Sequence, residues 1–222
     1  MTTPGFRRFS RFGSNRPSEP AHRSAVRGRY VRHSVRVGRP GTDENDALPA
    51  PAHPSGSALV IPLPAVDAVV GTWREALDPS AADGVPAHVT IHFPWVDKEA
   101  IDQVVLRDLQ EMVAATAPFE VVFRRVGWFG REVLWLDPDP KEPFVTLAAE
   151  SARRWPDYPQ YEGRHVDLVP HVTVGFGPQD RLDAVAADLD KLLPVKDVVT
   201  HVWWITRSEP QSWVVRRVLE LG

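Results

Sequence analysis

The sequence predicts a mixed fold of strands and helices built as two similar lobes, and three observations predict it. The pattern H-x-T-x-x-F occurs twice, as His88-Val-Thr-Ile-His-Phe93 and as His171-Val-Thr-Val-Gly-Phe176. Stretches with strand and helix periodicity alternate from about residue 58 onward and close in antiparallel hairpins. The motif histidines stand 83 residues apart, about half of the regularly patterned segment. That fits duplication of one unit rather than a solenoid, which needs three or more repeats. With 8 His, 10 Thr and 9 Phe in 222 residues, chance supplies one copy about 0.015 times and two about once in 10,000 sequences.

The elements follow in chain order. Ala58-Leu-Val-Ile-Pro-Leu63 is a short apolar run that reads as a buried strand despite Pro62. Val66 to Leu77 carries apolar residues at helical spacing, and Asp78-Pro-Ser80 ends it, because a residue before proline avoids the helical region. Pro86 precedes the first motif and Pro170 the second; proline is tolerated at a strand start, so both motifs read as strands. Alternation then sends His88, Thr90 and His92 to one face and Val89, Ile91 and Phe93 to the other, and likewise sets His171, Thr173 and Gly175 opposite Val172, Val174 and Phe176.

Between the motifs, Lys98 to about Ala115 makes one apolar stripe of an amphipathic helix. Phe119 to Trp128 and Glu132 to Asp137 read as a hairpin around Phe129-Gly130-Arg131. Pro143 to Trp155 is a helix with proline in its first turn, and Tyr158 to Leu168 a polar, aromatic loop. After the second motif, Asp180 is expected to cap a helix to about Leu193. Lys196 to Thr206 and Trp213 to Leu221 read as a final hairpin around Ser208-Glu-Pro-Gln-Ser212.

Residues 1–57 differ from the rest. They hold ten Arg, no Lys and four acids, a balance of +6, while residues 58–222 hold 16 Lys+Arg and 25 Asp+Glu, a balance of −9. Rich in Arg, Ser, Pro and Gly and without periodicity, residues 1–57 read as a disordered tail, with a basic RNA-contacting arm or a transit-type segment as alternatives. The acidic body argues against charge-driven binding to long nucleic acid, which needs a basic face; a small anionic ligand in a local pocket is compatible. The absence of cysteine excludes disulfides, thiolate nucleophiles and thiolate-bound metal. No apolar run suggests a membrane span or a signal-peptide core, so a cytoplasmic protein without a membrane partner is expected; a monomer is the expected state.

Two histidines across a cleft between lobes can serve as general base and general acid near neutral pH, because imidazole titrates at about 6.5. Threonine hydroxyls on the same faces can donate to non-bridging phosphate oxygens. That set suits phosphoryl transfer without a metal, such as attack of water on a 2′,3′-cyclic phosphate or of a ribose hydroxyl on a phosphodiester. A metal held by His88 and His92 would lack a carboxylate cluster, and no cofactor or metal is expected. His92, His165 and His201 read as structural. Trp128, Phe129, Trp155, Tyr158 and Tyr161 stand in or beside turns, where aromatics can stack on bases. Of these Trp128 and Phe129, with Arg131 at the same hairpin tip, are the candidate substrate-binding residues, and Arg164 is a weaker cation.

Two H-x-T motifs about 80 residues apart, each in a strand after a proline, resemble the two-histidine (2H) phosphoesterase superfamily, in its 2′-5′ RNA ligase-like branch. The resemblance covers roughly residues 58–222. It implies an α+β, bilobal fold of two antiparallel sheets with helices on the outer faces and the motifs facing each other in a central cleft. It implies metal-independent cyclic phosphodiesterase chemistry on RNA ends or small nucleotides with 2′,3′-cyclic or 2′-5′ linkages, run as hydrolysis or reversibly as ligation. Carried over, His88 and His171 would be the acid–base pair, and Thr90 and Thr173 the phosphate-binding hydroxyls. A non-catalytic nucleotide- or RNA-binding module using the same cleft is the rival expectation.

Overall fold

The computed structural model describes residues 56–163, 168–208 and 212–222. The tail up to residue 55, Arg164, His165 and the tip of the last hairpin lie outside the described residues. The elements are β1 (Ser57–Pro62), α1 (Pro64–Leu77), the short α2 (Pro79–Ala82), β2 (His88–His92), α3 (Gln103–Ala114), β3 (Phe119–Phe129), β4 (Val133–Asp139), α4 (Glu142–Arg154), β5 (Val172–Phe176), α5 (Gln179–Leu189), β6 (Val195–Val199), β7 (His201–Ser208) and β8 (Ser212–Glu220).

The strands pair into two four-stranded antiparallel sheets, ordered β2-β1-β7-β8 and β5-β4-β3-β6. With the helices this is an α+β fold, and the two motif strands are the edges of their sheets. Helices cross between the halves: α1 packs on β5 and β6, whereas α4 packs on β2. One apolar core therefore joins both sheets, from Leu59, Ile61 and Val89 in the first to Leu134, Leu136 and Val174 in the second. Each such side chain, fully withdrawn from water, contributes about 1.5–3 kcal/mol.

Three sequence expectations are corrected here. The strand expected over residues 196–206 is two strands in two sheets, broken at Thr200: β6 pairs with β3, and β7 with β1 and β8. Inward positions run Val195, Asp197, Val199 and then Val202, a slip in the period of two that one strand cannot carry. The helix expected from Lys98 opens instead as a 3-10 turn, Lys98–Ala100. Asp102 then caps α3, accepting from the amides of Val104 and Val105 at 2.9 Å each. Asp180 lies in the first turn of α5, and Pro178 occupies the cap position.

A fourth correction concerns the motifs themselves. In β2, Thr90 pairs with Val60 but His92 pairs with Leu59, so Ile91 is an extra residue in a β-bulge. In β5, Thr173 pairs with Trp135 but Gly175 pairs with Leu134, and Val174 is the extra residue. Each bulge reverses the alternation after the threonine. His92 turns into the core, where it is 0 % exposed, rather than sharing a face with His88. Phe93 and Phe176 join the open face with the motif His and Thr. Phe93 packs with the cluster of Ala58 and Val60, and Phe176 lines a pocket with His171 and Thr173.

Candidate active site

The edge strands β2 and β5 lie side by side, which brings the two motifs together. Each motif histidine is held the same way. Nδ1 of His88 is 2.8 Å from the carbonyl oxygen of Pro86, and Nδ1 of His171 is 2.8 Å from that of Val169. A carbonyl only accepts, so Nδ1 carries the proton and Nε2 of each ring is left as the basic atom. Pro86 thus has a second use beyond starting a strand, since its own carbonyl sets the tautomer of His88; in the second copy the carbonyl is that of Val169.

Withdrawal from water holds the His88 imidazole well below its ordinary 6.5, at about 4. The Pro86 carbonyl opposes that drop, the positive charge of Arg74 and that of His171 add to it, and Asp78 offsets part. His171 is also lowered, first by burial, with the Val169 carbonyl opposing. The two rings are close enough that charge on one disfavours charge on the other.

The segment entering His88 is braced from beneath by Arg74, which is 1 % exposed. Its Nη1 donates to the Val85 carbonyl at 3.1 Å, and its Nη2 meets Asp78 Oδ2 at 2.8 Å and Ser80 Oγ at 3.1 Å. Asp67 Oδ1 accepts from the amide of Ala87 at 2.6 Å. Val85, Pro86 and Ala87 are therefore each tied down by a hydrogen bond immediately before the histidine.

Around His171 the walls are aromatic. Phe129 presents its face or edge to the imidazole at 4.8 Å and 87°, and it stacks on Trp135 at 5.0 Å. A pocket of about 460 Å³ opens here, lined by Phe129, Tyr161, Val169, His171, Thr173 and Phe176 among others. Tyr161 sits at φ 49°, a region costly for a residue with a side chain and found most often where function requires it. Long-range hydrogen bonds hold it there. The amide of Tyr161 donates to the Phe93 carbonyl at 2.7 Å, and Gln160 Nε2 donates to the carbonyl of Ile91, the bulge residue, at 2.8 Å. His92 Nε2 lies 2.6 Å from the Tyr158 carbonyl. The first motif strand thereby fixes the loop that walls the second motif's pocket.

Of the residues singled out from sequence, His88, Thr90, His171, Thr173 and Phe129 are on the open faces by the two motif strands. Trp128 is placed otherwise. It pairs with Leu134 and packs against the main core, because adjacent strand residues face opposite sides. Arg131 is exposed and hydrogen-bonds the side chain of Gln179, outside the pocket. Trp155 is a core residue, edge-on to Trp95 at 5.1 Å. Tyr161, one of the turn aromatics named from sequence, lines the pocket beside His171, whereas Trp135, Gln160 and Arg74 were not singled out, since each acts through neighbours distant in sequence. Among the described residues no three His, Asp or Glu side chains are grouped to hold a metal ion, and no helix is long and apolar enough to cross a membrane.

Comparison with known proteins follows the same outline. A model described as the 2′-5′ RNA ligase superfamily matches residues 62–211. A Bacillus cytotoxicus protein bearing a phosphoesterase name is 25% identical over 171 residues, which are 74% of this chain and 95% of that protein. Crystal structures share the fold: E. coli LigT complexed with 3′-AMP has a TM-score of 0.51 at 19% identity, covering 77% of this chain and 99% of that one. The crystal structure of a phosphoesterase has a TM-score of 0.50 at 18% identity over the same shares of the two chains.

Proposed function

The chain belongs to the 2′-5′ RNA ligase superfamily, and from that premise we propose that it is a metal-independent phosphodiesterase acting on ribose-linked cyclic or 2′-5′ phosphodiesters. The observation that carries the reading is the matched pair His88 and His171. Both Nδ1 atoms are engaged by a carbonyl two residues earlier, which leaves both Nε2 atoms for proton exchange at adjacent strands. The LigT structure that shares this fold is complexed with 3′-AMP, a nucleoside phosphate of the kind that opening a 2′,3′-cyclic phosphate yields.

In the proposed reaction water attacks phosphorus while one P–O bond to the ribose breaks. His88, the more strongly depressed imidazole, takes the proton from water, and His171 gives its proton to the departing ribose oxygen. Thr90 and Thr173 donate to the non-bridging oxygens as charge builds there. In the empty site burial keeps both rings neutral; an incoming phosphate anion raises both pKa values and lets His171 arrive charged. Phe129 and Tyr161 wall the space beside His171 and suit a base or ribose. A 5′-hydroxyl in place of water gives ligation with the same roles, and the roles exchange when the step runs in reverse, a ribose hydroxyl attacking phosphorus.

The test is hydrolysis of nucleoside 2′,3′-cyclic phosphates in excess chelator by wild type, His88→Ala and His171→Ala. Each variant is expected to keep its fold and lose about 10²–10⁴-fold in rate. Near-wild-type rates in both would sink the assignment.

A further inference from the structure

A second pocket, of about 270 Å³, opens beside the other histidine. Its walls include Pro62, Asp67, Pro86, His201 and Trp203. Pro62 is the cross-strand partner of His88, and the Pro86 carbonyl holds the His88 ring, so this pocket reaches His88 through these two wall residues, whereas His171 itself lines the first pocket. No residue lines both pockets.

Trp203 has a defined relation to the phosphate-binding position. Thr90 pairs with Val60, and Val60 pairs with Trp203, so the three share the open face in one row across β2, β1 and β7. Two cross-strand steps of ~5 Å set Trp203 about 10 Å from Thr90, the span from a phosphate across its ribose to the base. Trp203 is half-buried over Val60 and Ala58, in the small apolar cluster that also takes Phe93 and Trp213. Its partner on the far side, Val218, is 53 % exposed, so apolar surface continues along the face.

We propose that this pocket is a second nucleoside subsite with Trp203 as its stacking surface. The preferred substrate then carries a nucleoside on each side of the scissile phosphate, as a 2′-5′-linked dinucleotide or RNA end does. The inference rests on the phosphodiesterase reading above. In such a substrate the 3′-hydroxyl next to the linkage attacks phosphorus and gives its proton to one histidine. The bond from phosphorus to the 5′-oxygen breaks, and that oxygen takes a proton from the other. The products are a 2′,3′-cyclic phosphate and a nucleoside with a free 5′-hydroxyl.

The experiment compares kcat/KM for adenylyl-(2′→5′)-adenosine with kcat/KM for adenosine 2′,3′-cyclic phosphate in wild type, Trp203→Leu and Trp203→Phe, with circular dichroism to establish folding. Leucine keeps apolar bulk without an aromatic face. The ratio is expected to favour the dinucleotide in wild type, to fall about tenfold or more in Trp203→Leu, as loss of one base stack does, and to recover in Trp203→Phe. An unchanged ratio in Trp203→Leu overturns the subsite and leaves the phosphodiesterase reading standing. Failure of wild type to turn over either substrate overturns both.

Discussion

The indole of Trp135 lies across Gly127 so closely that a β-carbon at position 127 would stand 2.4 Å from the ring. Trp135 in turn carries Phe129, and Phe129 borders His171. Gly127→Ala is therefore expected to push the indole off β3 and disturb the imidazole two contacts away. Over-packing of this kind costs about 1–3 kcal/mol, read from denaturant melts, and kcat/KM should fall alongside. Adding Trp135→Phe should restore part of both losses, because the smaller ring frees the space. Simple additivity of the two variants would show that the contact is not the route to the site.

The pH dependence follows from the directions of the two histidine shifts. In the proposed reaction the base, His88, must be neutral, so kcat/KM is expected to rise as pH climbs through about 4. The acid, His171, must be protonated, and its pKa lies below 6.5, so kcat/KM falls again as pH climbs through that lowered value. The maximum is expected on the acid side of 6.5. The kcat profile should lie at higher pH, because bound phosphate raises both values. A kcat/KM maximum above pH 6.5 would contradict the burial-driven depression of His171.

The motifs, the strand-and-helix order and the pairing of His88 with His171 were legible because each leaves a local mark: a repeated tripeptide, a period, a proline. The bulges leave a fainter one. In H-x-T-x-x-F the phenylalanine stands three residues after the threonine, an odd step that puts it on the far face of a regular strand. Only an inserted residue, Ile91 or Val174, returns it to the site. The loop at Tyr158–Gly163 could not be placed from sequence, since what fixes it are bonds such as Gln160 to Ile91, 69 positions away. The crossing at Thr200 leaves no clear mark, because Val198 and Val199 are both apolar and only burial shows that Val199 is the inward one.

His92 is expected to act on stability rather than on the reaction. Its Nε2–H donates to the Tyr158 carbonyl and its Nδ1 accepts from Ser151 Oγ at 2.7 Å, which fixes a neutral ring in the core. Burial lowers its pKa, with the Tyr158 bond opposing. The unfolded chain therefore binds a proton more readily, and stability is full above about pH 6.5 and is lost as pH falls toward the folded-state value. His88 and His171 add to the same trend. Denaturant titrations from about pH 7.5 to about pH 4.5 should show the decline. In His92→Gln it should be shallower, while the pH profile of kcat keeps its shape.

Arg74 separates charge from geometry at His88. Arg74→Met removes a positive charge that holds the imidazole down, so the acid limb of kcat/KM is expected to move to higher pH. It also leaves Asp78, 4 % exposed, without its partner. Breaking a buried pair on one side costs about 3–5 kcal/mol, so a large drop in melting temperature is expected together with the pKa change. Arg74→Lys keeps the charge but loses the planar fork that reaches the Val85 carbonyl, Ser80 and Asp78 at once. It should therefore leave the acid limb near its wild-type position and lower kcat, because Val85 and the chain into His88 lose a support. If Arg74→Lys moved the limb as far as Arg74→Met does, the arginine would be acting on His88 through position and not through its charge.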